Sequence, residues 1–88
     1  MAPMKNVIGP RVRLARKQAF PKITQEDLCA RLQVLGIRLE RPAISKIETR
    51  YREVNDIEVL ALAEALGVSA AWLLGESDKP DRAKGRSN

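Results

Sequence analysis

An all-α fold of five short helices is what this sequence predicts, on three observations. Apolar residues recur at three- and four-residue spacings along most of the chain. Few β-branched or aromatic runs are present that form strands. The apolar stretches are punctuated by capping residues, glycines and prolines in a consistent order. The largest side chain of the expected core is Trp72, whose place among apolar neighbours suits a filler of the interior.

The first helix starts near Gly9-Pro10, because proline in the first turn gives up no hydrogen bond. Val12 and Ala15 face inward, and Arg11, Arg13 and Lys17 are expected in solvent. Phe20-Pro21 ends the helix, since the residue before proline avoids helical backbone. A second helix opens at Thr24-Gln25-Glu26-Asp27, a capping box with a hydroxyl at the N-cap and a carboxylate three residues on. Leu28, Cys29 and Leu32 share one face, Leu35 extends it by almost a turn, and Gly36 is the stop.

The third helix runs from Arg41-Pro42 to Glu48 or Thr49 and buries Ile44 and Ile47. Its other face, Arg41, Pro42, Ala43, Ser45 and Lys46, is polar or small and has nothing to bury itself against. Tyr51-Arg52-Glu53 belongs to a loop. The fourth helix has Asn55 as N-cap with Glu58 three residues on, an expected apolar stripe of Ile57, Leu60, Ala61, Ala63 and Leu66, and Gly67 at its end. Ser69 caps a short fifth helix, Ala70 to Leu74, stopped by Gly75. Residues 1–7 are then an N-terminal arm, 8–75 the domain, and 76–88 a polar tail with too little apolar content to fold.

Composition narrows the function classes. The single cysteine, Cys29, cannot make an intramolecular disulfide and leaves too few thiols for zinc; its expected place is a small core position. The chain has no histidine, which removes the commonest general base and metal ligand and any Ser/His/Asp triad. With no glycine-rich phosphate loop either, neither an enzyme nor a metal or other cofactor is expected. No apolar run approaches the ~20 residues of a membrane span, and the N-terminus does not read as a secretory signal. A soluble, cytoplasmic protein is the expectation. Residues 1–53 carry 12 basic and 5 acidic side chains, against 4 and 6 in residues 54–88. A basic front half is the electrostatic footprint of a phosphate-rich partner, although solvated Lys/Arg faces are common in proteins of other kinds.

The segment from Ile8 to Gly75 resembles the Cro/cI-like, or Xre-type, helix-turn-helix regulators of bacteria and phages. Arg11-Val12-Arg13-Leu14-Ala15-Arg16 resembles the family's first helix, and Thr24-Gln25-Glu26-Asp27-Leu28 its T-Q-x-x-L opening of the second. Ala43-Ile44-Ser45-Lys46-Ile47-Glu48 is similar to the recognition helix, and Leu62-Ala63-Glu64-Ala65-Leu66-Gly67-Val68-Ser69 with Trp72-Leu73-Leu74 to the closing segment. Two departures stand out. Gln33 to Glu40 replaces the usual tight turn between helices 2 and 3, and Ile37 and Leu39 are expected to pack back onto the core. Arg50 holds the place where a glycine often follows the recognition helix; a left-handed arginine costs on the order of 1–2 kcal/mol, so either the cap differs or Arg50 is kept for a contact.

The resemblance implies a five-helix, lambda-repressor-like domain that binds double-stranded DNA through helix 3 in the ~12 Å wide major groove. Arg41 is the first choice for a base contact, because its guanidinium pairs with O6 and N7 of guanine; a solvated helix-end charge or a phosphate contact is the competing reading. Ser45 and Lys46 are next along the helix, and Pro42 and Ala43 suit a thymine methyl. Thr24 and Gln25 at the start of helix 2 are expected to hold phosphate, as are Arg50, Tyr51 and Arg52 after helix 3. By resemblance, Arg16 and Glu48 form an ion pair that orients helix 3 against helix 1. The family also implies a homodimer, meeting through helices 4 and 5, on a pseudo-palindromic operator with half-sites ~34 Å apart. The expected role is a transcriptional repressor. The alternative is an antitoxin or a restriction–modification controller that uses the same domain for a protein partner and for autoregulation.

Overall fold

A computed structural model of the chain describes residues 4–80. Five helices follow one another: α1 (Gly9–Gln18), α2 (Gln25–Val34), α3 (Arg41–Glu48), α4 (Asp56–Leu66) and α5 (Ala70–Leu73). No strand is present among the described residues. α1 packs on α3, α4 and α5, while α2 packs on α3 and α4, so α1 and α2 both support α3. Val12, Leu28, Leu32, Ile44, Ile47, Leu62 and Leu73 are wholly excluded from solvent and form one core with Ile8, Trp72 and their neighbours. This all-α, five-helix, lambda-repressor-like arrangement is the one expected from the sequence.

Local chemistry explains most boundaries. Both capping boxes form: Thr24 Oγ1 accepts the Asp27 N–H at 2.9 Å, and Asn55 Oδ1 accepts the Glu58 N–H at 2.8 Å. Ser69 Oγ likewise accepts the Trp72 N–H at 3.0 Å. α2 ends on left-handed Gly36, with the Ile37 N–H reaching back to the Leu32 carbonyl at 2.9 Å. The connection to α3 then spans residues 35–40, in which Leu39 is buried and Ile37 half-buried against the core, as expected.

Other expectations need correction. Of the apolar stripe expected on α4, Ala61, Ala63 and Leu66 are buried, but Ile57 and Leu60 are 62% and 63% exposed, and Val59, Leu62 and Ala65 are buried in their place. In a helix this rich in Ala and Leu, two apolar faces compete, and packing against α1, α2 and α5 selects the one carrying Leu62. Leu35 is the C-cap of α2 and exposed, so the helix does not gain the extra turn. Cys29 is only half-buried at the edge of the core, where desolvation pushes its thiol up from the ordinary value, away from the reactive thiolate. Arg11 is not free in solvent. It stacks 4.9 Å from the Trp72 ring centroid and donates to the carbonyls of Trp72 and Ser77 at 2.6 and 3.0 Å.

The chain beyond α5 stays close to the same tryptophan. The Ser69 N–H donates to the Pro80 carbonyl at 2.9 Å, so residues 76–80 run back over Trp72 as a strap. The rest of the expected tail, 81–88, lies outside the described residues.

Candidate nucleic-acid interface

α3 is amphipathic by composition: Ile44 and Ile47 fill the core, whereas Arg41, Pro42, Ser45 and Lys46 are exposed and Ala43 is half-buried. Eight residues make a rod about 12 Å long at about 1.5 Å per residue. Its N-terminus is lightly held. Glu40 at the N-cap makes no side-chain cap, and Arg41 meets only the Glu26 carboxylate at 3.5 Å, with its side chain 61% exposed. Such an exposed pair contributes little and is easily exchanged for another acceptor.

The C-terminal half is anchored. Arg16 Nε and Nη2 donate to the two Glu48 carboxylate oxygens at 2.7 and 3.0 Å, and Nη1 donates to the Ile23 carbonyl at 3.1 Å. The two side chains keep only 11% and 6% of their surface in solvent. Gln25 Nε2 donates to Glu48 at 3.3 Å, and the Ser45 hydroxyl donates to Gln25 Oε1 at 3.4 Å. The expected Arg16–Glu48 pair is therefore the centre of a network joining α1, the start of α2 and α3. A bidentate pair this desolvated sets orientation more than it adds net stability. Gln25, expected to grip phosphate, is the link that ties the first turn of α2 to the outward side of α3.

α3 ends in a complete Schellman motif: the Arg50 N–H donates to the Ile47 carbonyl at 3.0 Å and the Tyr51 N–H to Lys46 at 2.8 Å. Arg50 occupies the left-handed position with φ +68°, so the cap is the usual one and the arginine bears its strain. Gly9 lies opposite this end. A Cβ there would overlap the Ile47 carbonyl and stand 2.9 Å from that of Glu48, so only glycine lets α1 approach so closely.

Two concavities flank α3. One of about 420 Å³ is lined by Arg16, Lys17, Lys22, Ile23, Thr24, Gln25, Glu26 and Arg41, at the N-terminus of α2. The other, of about 570 Å³, is lined by Lys5, Ala43, Lys46, Tyr51, Arg52 and Glu53. The sequence-predicted residues thus divide by side: Thr24, Gln25 and Arg41 gather in the first notch, Ala43, Lys46, Tyr51 and Arg52 in the second. Pro42, Ser45 and Arg50 line neither. Sequence reasoning missed Lys5 and Asn6, and left Lys17 as a merely solvated charge and Lys22 unassigned.

Electrostatics separates the members further. Thr24 donates to the Asp27 carboxylate through its N–H at 3.1 Å, and this backbone hydrogen bond holds Asp27 below the usual carboxylate range. Arg52 donates to both Glu58 oxygens, at 3.0 and 3.2 Å. The hydrogen-bonded pair raises the Arg52 pKa and lowers that of Glu58. The Arg52 charge is therefore already answered inside the protein, unlike that of Lys46. No helix among the described residues is long and apolar enough to cross a membrane.

An anchored recognition helix with a polar outward face between two cationic notches is a surface built for a phosphate-flanked groove. The profile of the Helix-turn-helix family matches residues 12–73, which covers α1 through α5 apart from the first turn of α1. No curated protein and no solved structure matches the chain. The chain belongs to the Xre-type, Cro/cI-like helix-turn-helix family of DNA-binding regulators.

Proposed function

We propose that the protein is a cytoplasmic transcriptional repressor, without catalysis of its own, that covers a promoter as a homodimer. The observation that carries this is the presentation of α3: Arg41, Pro42, Ser45 and Lys46 are exposed, with Ala43 half-buried beside them, on a helix whose base is fixed by the Arg16–Glu48 pair. Arg41 reads guanine at the lightly held end; Ser45 and Lys46 follow along the groove, and Pro42 and Ala43 suit a thymine methyl. Thr24 and Gln25 on one side, and Tyr51 with Arg50 on the other, meet backbone phosphates. Arg52 acts chiefly by holding its loop to Glu58.

A rod of about 12 Å spans only about three or four base pairs at ~34 Å per turn of ~10. Two copies are needed for a site of useful length. Ile57 and Leu60, exposed on α4, are apolar positions that suit a second copy of this chain.

Selection of bound sequences from random duplex DNA at stated salt tests the reading. An inverted repeat with half-site centres ~10 base pairs apart, or a multiple of that, is expected. Binding without a recoverable consensus overturns sequence-specific readout. Sedimentation of the free and DNA-bound chain tests the second copy: a monomer in both states removes the homodimer. Ile57 and Leu60 then pass to the heterologous partner of the antitoxin or controller reading, which co-purification would reveal.

A further inference from the structure

The N-terminal arm is stitched to the end of the recognition helix. The Lys5 N–H donates to the Arg50 carbonyl at 3.1 Å. Asn6 Nδ2 donates to the carbonyls of Ile47 and Arg52 at 3.1 and 2.8 Å, while its Oδ1 accepts the Gly9 N–H at 2.8 Å. One carboxamide thus joins the start of α1, the last turn of α3 and the loop beyond it. Only an amide serves there, because an aspartate would set a carboxylate against two carbonyl oxygens.

This stitching brings Lys5 to the notch beside α3, opposite Lys46 and Tyr51. Among the notch's charges Arg52 is committed to Glu58, and neither Lys5 nor Lys46 forms an ion pair among the described residues. Glu53 adds a carboxylate to the lining, but two ammonium groups outweigh it, and with the Tyr51 phenol they match the acceptor oxygens of a phosphodiester. A lysine in such a place contributes as a point charge, indifferent to base sequence.

We infer that Lys5 is a DNA phosphate contact and that Asn6 is the residue that positions it. The arm thereby extends the interface past the helix-turn-helix itself and closes the notch on one backbone phosphate of the duplex. This rests on the DNA-binding function, and the test separates the two. The full chain is titrated with a labelled mixed-sequence duplex of about 24 base pairs, enough for two turns, at salt from about 0.05 to 0.2 M. Salt-dependent binding by the unaltered chain is expected; its absence would overturn the DNA-binding reading as a whole.

Lys5→Ala should reduce the slope of log K against log salt by about 0.9 per chain and weaken binding roughly eightfold at about 0.1 M salt. Lys5→Arg should restore the slope. Lys79→Ala, which removes the same charge from the strap, should change the slope far less; an equal change would show that only net charge matters and overturn the proposal. An unchanged slope in Lys5→Ala, with the unaltered chain still binding, would do the same. For Asn6, the uncharged Asn6→Ala should lower the salt slope in the unaltered background but leave it unchanged once Lys5 is alanine, whatever affinity is lost through the end of α3. An unchanged slope in the unaltered background would leave Asn6 a purely structural residue. The Lys5 variants touch only an exposed side chain, so they answer even where Asn6→Ala fails to fold.

Discussion

At its C-terminal end α3 is fixed by the Arg16–Glu48 pair, by Asn6 on the Ile47 carbonyl and by the left-handed turn at Arg50. At its N-terminal end, beyond the packing of Ile44 and Leu39, the one side-chain polar contact among the described residues is Arg41 facing Glu26 at 3.5 Å, with both side chains in water. The same eight-residue helix is thus pinned by polar contacts at one end and carries a lightly held side chain at the other. The anchored end sets the angle at which the rod leaves the domain. The free end leaves Arg41 able to exchange a weak acceptor for a better one on a base edge. Its remaining cost is the ordering of a long side chain.

Substitutions at the anchored end should therefore be felt as stability, and those at the free end as sequence preference. The largest effect is expected from Glu48→Ala, which leaves Arg16 buried without its partner. About 3 kcal/mol of unfolding free energy should be lost in urea titration. A loss under about 1 kcal/mol would mean that the network is not the anchor. Gly9→Ala comes next, at about 2–3 kcal/mol in the same titration, because backbone carbonyls of α3 must yield to the new methyl.

Arg41→Ala should sharpen the contrast from the other side. Stability should stay within about 0.5 kcal/mol, while discrimination at one or two base pairs falls by about 1–3 kcal/mol in competition binding. A uniform loss on all sequences would make Arg41 a phosphate contact. Arg50→Gly should relieve about 1 kcal/mol of strain and raise Tm by about 4–8 °C, yet weaken duplex binding on every sequence. Gain in both would mean that the arginine serves no contact.

The smallest effect concerns Glu58, whose pKa is depressed below its ordinary 4.5, chiefly by Arg52. A depressed carboxylate stabilises the fold fully above the unfolded value. That contribution is lost as pH falls through the folded value. Glu58→Gln should therefore remove some of the acid sensitivity, by under about 1 kcal/mol, in melts taken below about pH 5.

What was legible in the sequence follows from distance along the chain. Thr24 with Asp27 and Asn55 with Glu58 are partners three residues apart, so their capping boxes could be named before any fold was known. The Arg16–Glu48 pair spans 32 residues and was reached only through family resemblance. Asn6 and Gly9 act on the Ile47 carbonyl across a similar gap, with no local pattern to announce them. Ile57 and Leu60 were misplaced because periodicity cannot decide which of two apolar faces meets the core. Arg52 looked like a free loop cation because the sequence does not show that Glu58, already engaged as a cap, also turns toward it.

The strap over Trp72 has an optical consequence. The chain has a single tryptophan, and it lies beneath the Arg11 guanidinium and beside the docked residues 76–80. Its emission is therefore an intrinsic reporter of whether that segment is seated. Because Trp72 lines neither notch beside α3, release of the strap can be followed in light while the DNA-facing surface is titrated separately.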